Sequence, residues 1–176
     1  MDNQQQTKKA HKSERFIKDL QNHAEDRGLL AALRRGVGKV PGSEPNMYPY
    51  MMKWVANEKD EWREATYFMI AALFAFHPQS TNKNENLGHH YAQAGENEAN
   101  ERRFITLLNA PPDILYRYLN HAIRFLKTKE ILINWQQLFW DISNWEDPDT
   151  RLEIQRKWGK GYWGTFETQK QAEDNA

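Results

Sequence analysis

Six histidines, at positions 11, 23, 77, 89, 90 and 121, are the side chains best suited to ligate a metal or move a proton. Only His89 and His90 are clustered, and neighbours on a helix point about 100° apart, a poor arrangement for one ion. No H-E-x-x-H or E-x-x-H pattern pairs histidine with a carboxylate on a helix face. Carboxylates gather at Glu58–Glu64 and Glu96–Glu101. There they open helices, where the dipole and capping favour acids, rather than facing each other in an apolar cleft. No G-x-S-x-G elbow and no Walker P-loop occurs; the glycine pairs Gly36-Val37-Gly38 and Gly159-Lys160-Gly161 say little by themselves. With no cysteine, thiolate nucleophiles, disulfides and cysteine metal sites are excluded. These residues predict no catalytic site, no metal and no cofactor. A metal-dependent hydrolase using His77, His89 and His90 is the one enzymatic alternative.

The basic residues are more informative. Arg34, Arg35 and Lys39 cluster where no acid falls between residues 27 and 43. Arg117, His121 and Arg124 recur at i, i+4 and i+7, with Lys127 near the same stripe, opposite Ile114, Leu115, Leu119, Ala122, Ile123 and Leu126. Arg102-Arg103 begins the preceding helix, and Arg156, Lys157 and Lys160 lie toward the C-terminus. Such stripes suit contacts to a phosphate backbone, which arginine makes irrespective of base sequence. They equally suit an ordinary solvated helix face. Trp135, Phe139 and Trp145 have core spacing, whereas Trp158, Tyr162 and Trp163 lie among Gly and Lys and are the aromatics expected to touch a partner.

The elements that must position these groups follow from periodicity. The 176 residues carry 24 Lys plus Arg against 24 Asp plus Glu, so bulk positive charge is excluded as a way of holding nucleic acid. Mean hydropathy is −0.93, yet seven Trp, seven Tyr and eight Phe supply enough area for a core. Helices are predicted at Phe16–Leu20, Leu29–Arg35, Asp60–Phe76, Leu87–Ala94, Glu96–Asn109, Asp113–Lys127, Ile131–Trp145 and from Asp147-Pro148 to Trp158. Lys39–Tyr50, with three prolines, reads as a loop. No alternating β-branched run appears. The fold class is all-α, two small packed helical bundles with no sheet. An N-terminal lobe is expected over 14–80 and a C-terminal lobe over 87–164, with disordered tails at 1–13 and 165–176. The polar N-terminus is no signal peptide, and the apolar run Met69–Phe76 is too short for a span of about 20 residues, so the cytoplasm is expected.

Asn100-Glu101-Arg102-Arg103-Phe104-Ile105-Thr106-Leu107-Leu108 resembles the E-R-R-F-x-x-L-L pattern of the CasB family, the small subunits of the type I-E CRISPR surveillance complex Cascade. Asp113–Lys127 resembles the family's next helix. Leu33-Arg34-Arg35 followed by Tyr48-Pro49-Tyr50 resembles its N-terminal arginine pair and proline-aromatic loop. Glu61–Phe76 is similar to its buried central helix, and Trp135–Trp158 to its aromatic last third. Leu87-Gly88-His89 departs from the family's Leu-Gly-Arg.

The resemblance implies a non-catalytic subunit that holds the guide RNA–target DNA hybrid and the displaced DNA strand. Its partners would be the backbone and large subunits and a second copy of itself, with no membrane and no small-molecule substrate. Carried over by position, Arg34, Arg35, Arg102, Arg103 and Arg117 are the expected nucleic-acid contacts. Lys39, Arg124, Lys127, Lys157 and Lys160 join them on charge patterning alone. Arg103, beside Phe104, has a second reading as the partner of an internal carboxylate. The rival to the whole reading is a protein-interaction module whose stripes dock acidic partner surfaces.

Overall fold

A computed structural model of the chain describes the backbone of residues 2–174 and the side chains of residues 12–174. The chain is all-α. Among the described residues no strand forms; one isolated parallel bridge joins Ser80 to Ile133. Two compact units divide at Pro78/Gln79.

The first unit holds α1 (Asp2–Asn22), α2 (Arg27–Arg34), α3 (Tyr48–Val55) and α4 (Glu61–Phe76). Asp60 caps α4 by accepting from the Arg63 amide at 3.1 Å, and Thr66 through Ala75 are buried without interruption, so α4 is the core of its unit. Phe16 of α1 packs edge-on against Trp54 and Tyr67, with ring centroids 5.4 and 4.8 Å away. α1 runs back to Asp2 and buries Ser13, so 2–13, expected as a loose tail, is helical in the structure. Extending a helix already nucleated by packing costs little. Met1 lies outside the described residues.

The predicted loop at 39–50 holds instead a 3-10 turn (Pro45–Met47) leading into α3. Pro45 and Pro49 sit in the first turns of these elements, where a missing N–H loses no hydrogen bond, so they start helices rather than break them; Pro41 lies in the turn before them.

The second unit holds α5 (Leu87–Gln93), α6 (Glu98–Leu108), α7 (Leu115–Thr128), α8 (Trp135–Ser143) and α9 (Pro148–Asp174). α8 starts four residues later than expected, because Ile133 and its neighbours pair with the segment after Pro78. Ile133 N donates to Gln79 O at 3.3 Å, and Thr81 N donates to Ile133 O at 3.0 Å. α9 continues beyond Gly164, the expected end of order, through Asp174. Phe166 is buried there and the Lys170 ammonium meets Glu96 at 3.0 Å. The Gly159-Lys160-Gly161-Tyr162-Trp163-Gly164 run has dinucleotide-fingerprint spacing, but it lies inside α9 with no strand before it and forms no phosphate-cradling turn.

Trp158 and Tyr162, expected at a partner surface, are core residues at 0% and 1% exposure. They stack on Trp145 and Phe104, with centroids 5.0 and 4.6 Å apart. Of that trio only Trp163 is exposed, and its indole donates to Glu101 at 3.1 Å.

Candidate nucleic-acid interface

In the first unit the arginine pair splits by role. Arg34 Nε donates to the Ala75 carbonyl at 3.1 Å, tying the end of α2 to the end of α4. Arg35 is exposed and lines a shallow groove of about 470 Å³ with Pro45, Asn46, Pro49 and Tyr50. The Lys39 ammonium is paired with the buried Glu44 carboxylate. Hydrogen bonds from the Asn46 side chain, then from Lys39, hold that carboxyl down at about 2. The acid-free window thus ends at the very carboxylate that offsets the charge of Lys39.

In the second unit a cleft of about 520 Å³ opens between α6 and α7. Arg102, Arg103 and His121 line it together with Tyr91, Tyr118 and Phe125. Arg102 is engaged by Glu98 one turn earlier. Arg103 is exposed, its guanidinium 5.1 Å from the Phe125 ring centroid and its Nη1 3.4 Å from Asn100 Oδ1. It forms no salt bridge with a carboxylate among the described residues, so the internal pairing considered for it is not seen. Burial pushes the Tyr91 phenol upward, so it stays a neutral hydroxyl.

Arg117, Arg124 and Lys127 lie on the exposed face of α7 but outside the cleft lining. Arg117 Nε donates to Tyr116 Oη and Arg124 Nε to Asn120 Oδ1, both at 3.0 Å.

A second cleft of about 510 Å³ brings Lys157 and Lys160 of α9 to His89, Asp141 and Trp140. Trp140 is half exposed and was not among the expected site residues. Tyr118 and Phe125 were missed as well. They sit at i and i+7 with His121 and Ala122 between them, a seam beside the basic stripe that helical spacing alone could have exposed.

Three histidines, His77, His89 and His90, serve the fold. His89 Nδ1 accepts from the Asn86 amide at 3.2 Å, completing a capping box at the start of α5. His90 is buried and its Nε2 accepts from the Asn134 amide at 3.0 Å. Burial, with His89 nearby, lowers it to about 4. His77 is buried at the end of α4. Among the described residues no three His, Asp or Glu side chains are grouped to hold a metal ion, and no helix is long and apolar enough to cross a membrane.

A family model described as CRISPR-associated protein Cse2 matches residues 29–163. No curated protein matches the chain in sequence. Among solved structures, it is similar to a Cse2-family CRISPR-associated protein from Thermus thermophilus, with TM-score 0.75 and 25% identity over 86% of this chain and 97% of that one. CasB from M. ruber gives TM-score 0.73 and 25% identity over 89% and 97%. A chain of a CRISPR RNA-guided surveillance complex shares the fold with TM-score 0.79 at 23% identity, over 93% and 98%.

Proposed function

The chain belongs to the CRISPR-associated Cse2 family, and from that premise we propose that it is a non-catalytic small subunit of an RNA-guided surveillance complex working in the cytoplasm. In this role it stabilises the guide RNA–target DNA R-loop through cationic contacts to nucleic-acid backbone. One observation carries the reading: Arg102, Arg103 and His121 converge on a single cleft whose lining includes no carboxylate. In a chain of zero net charge, that is local segregation of the kind a polyanion requires. R-loop formation is nearly balanced in base-pairing energy, so a few protein–phosphate contacts suffice to tip it. Ile105, Leu132, Trp140 and Leu152 are large apolar side chains left exposed, and they are where other subunits, including a second copy, would dock.

The test is charge reversal at the two exposed arginines of that cleft, Arg102→Glu with Arg103→Glu, within the assembled complex. The complex should still assemble, the R-loop should dissociate faster, and the salt dependence of DNA retention should become shallower by about one unit of slope per lost phosphate contact. Unchanged R-loop lifetime would sink the backbone reading. Failed assembly, with DNA retention intact in the complexes that do form, would favour the protein-docking alternative.

A further inference from the structure

The α6–α7 cleft contains more than backbone contacts require, and we infer, resting on the reading above, that it receives one unstacked nucleobase of a single-stranded nucleic acid. A groove that only tracks phosphates needs cations, not an aromatic lining. This one has Tyr91, Tyr118 and Phe125 alongside Arg102, Arg103 and His121. Its volume of about 520 Å³ accommodates a planar base with its sugar and phosphate.

Arg103 is the stacking surface. Its guanidinium already lies over Phe125, 5.1 Å from the ring centroid, and the residue is exposed in the cleft lining. Guanidinium planes and aromatic rings are the two surfaces on which proteins stack splayed bases. The contact to Asn100 is long, at 3.4 Å, so the fork is not spent on a strong internal hydrogen bond. Tyr118 and Thr106 bring hydroxyls to the same lining: that of Tyr118 can donate to or accept from a base edge, and that of Thr106, which already donates to the Arg102 carbonyl at 2.8 Å, can accept. Arg102 supplies the cation for the attached phosphate, exchanging its Glu98 partner for it, and the exposed His121 adds a ring nitrogen able to hydrogen-bond beside it. An acidic peptide would satisfy the cations but leave the aromatic lining unexplained.

The full-length chain would be titrated into two labelled single strands of equal length, one of thymidines and one with the same backbone lacking bases. The wild-type protein should bind the base-bearing strand about tenfold more tightly, the size of one base–aromatic stack. The ratio should fall to about one in Phe125→Leu, which keeps most of the apolar volume, and in Arg103→Lys, which keeps the charge but not the plane. Circular dichroism melts would confirm that both variants fold. Equal wild-type affinity for the two strands would overturn the base site while leaving the backbone reading intact, as would a ratio that survives both substitutions. Binding of neither strand at low salt, with poly-glutamate bound instead, would overturn the nucleic-acid reading and the base site together.

Discussion

Gly88 of α5 packs directly onto the backbone of Trp158 in α9: a Cβ at position 88 would overlap the Trp158 carbonyl oxygen and stand 2.7 Å from its carbon. No rotamer change relieves a clash with backbone, so the helices would have to separate. This crossing also sets the place of Trp158, whose indole donates to Asp141 at 2.7 Å in the core of the second unit. Gly88→Ala should destabilise the protein by about 3 kcal/mol or more, at or above the upper end for overpacking. A thermal melt within a degree of wild type would show that the crossing is loose.

Two glycines of α9 itself, Gly164 and Gly161, should behave differently. Nothing lies within 4 Å of a Cβ built on Gly164, so Gly164→Ala should stabilise the protein by about 0.5–1 kcal/mol, the helix-propensity gain. At Gly161 the same gain is opposed, because the new Cβ would stand 2.6 Å from Asn86 Oδ1. That oxygen caps α5, accepting from the Gly88 and His89 amides, and losing a cap costs about 1 kcal/mol. Gly161→Ala should therefore fall below Gly164→Ala in melting temperature. The reverse order would mean that the cap is not strained by the added methyl.

The all-α class and the buried helix α4 were legible because they depend on periodicity within one segment. The burial of Trp158 and Tyr162 was misread as a partner surface, although Ile154, Trp158, Tyr162 and Phe166 recur at every fourth residue and all are buried. The intervening glycines hid that rhythm by looking like a helix stop. What could not be read was the set of relationships across elements. Arg103 meets Phe125, Arg34 meets the Ala75 carbonyl, and Lys39 meets a Glu44 ordered by a turn. Spacing along the chain names residues on one face; it does not say which opposing face they meet.

Adjacent arginines Arg34 and Arg35 should separate in a stability assay. Arg34→Ala removes the donor to Ala75 and should cost about 0.5–1.5 kcal/mol. Arg35→Ala, at an exposed position with no such tie, should stay within about 0.5 kcal/mol of wild type. Urea denaturation of the two variants checks this. Equal losses would mean that the α2–α4 tie contributes nothing. If the difference holds, Arg35→Ala is the cleaner probe of nucleic-acid contact, because its effect on binding is not mixed with an effect on folding.

His90 and Asp141 titrate with opposite consequences for stability. Burial lowers His90 to about 4 from its usual 6.5, so its contribution is present above 6.5 and is lost as pH falls through 4. Burial raises Asp141 to about 6 against the pull of its bonds from Trp158 and Gln137. Its contribution is therefore full below 3.8 and lost as pH rises through 6. Between about pH 4 and 6 the slopes oppose, and wild-type stability should change little with pH on their account. Asp141→Asn removes one slope while keeping an acceptor for the Trp158 indole. Its stability should then rise with pH across that window, by at most about 1.4 kcal/mol per unit for one proton. His90→Gln should show the opposite trend. Denaturation curves at pH 4.5, 5.5 and 7 separate these outcomes, and an Asp141→Asn slope equal to that of wild type would mean that Asp141 ionises normally despite its burial.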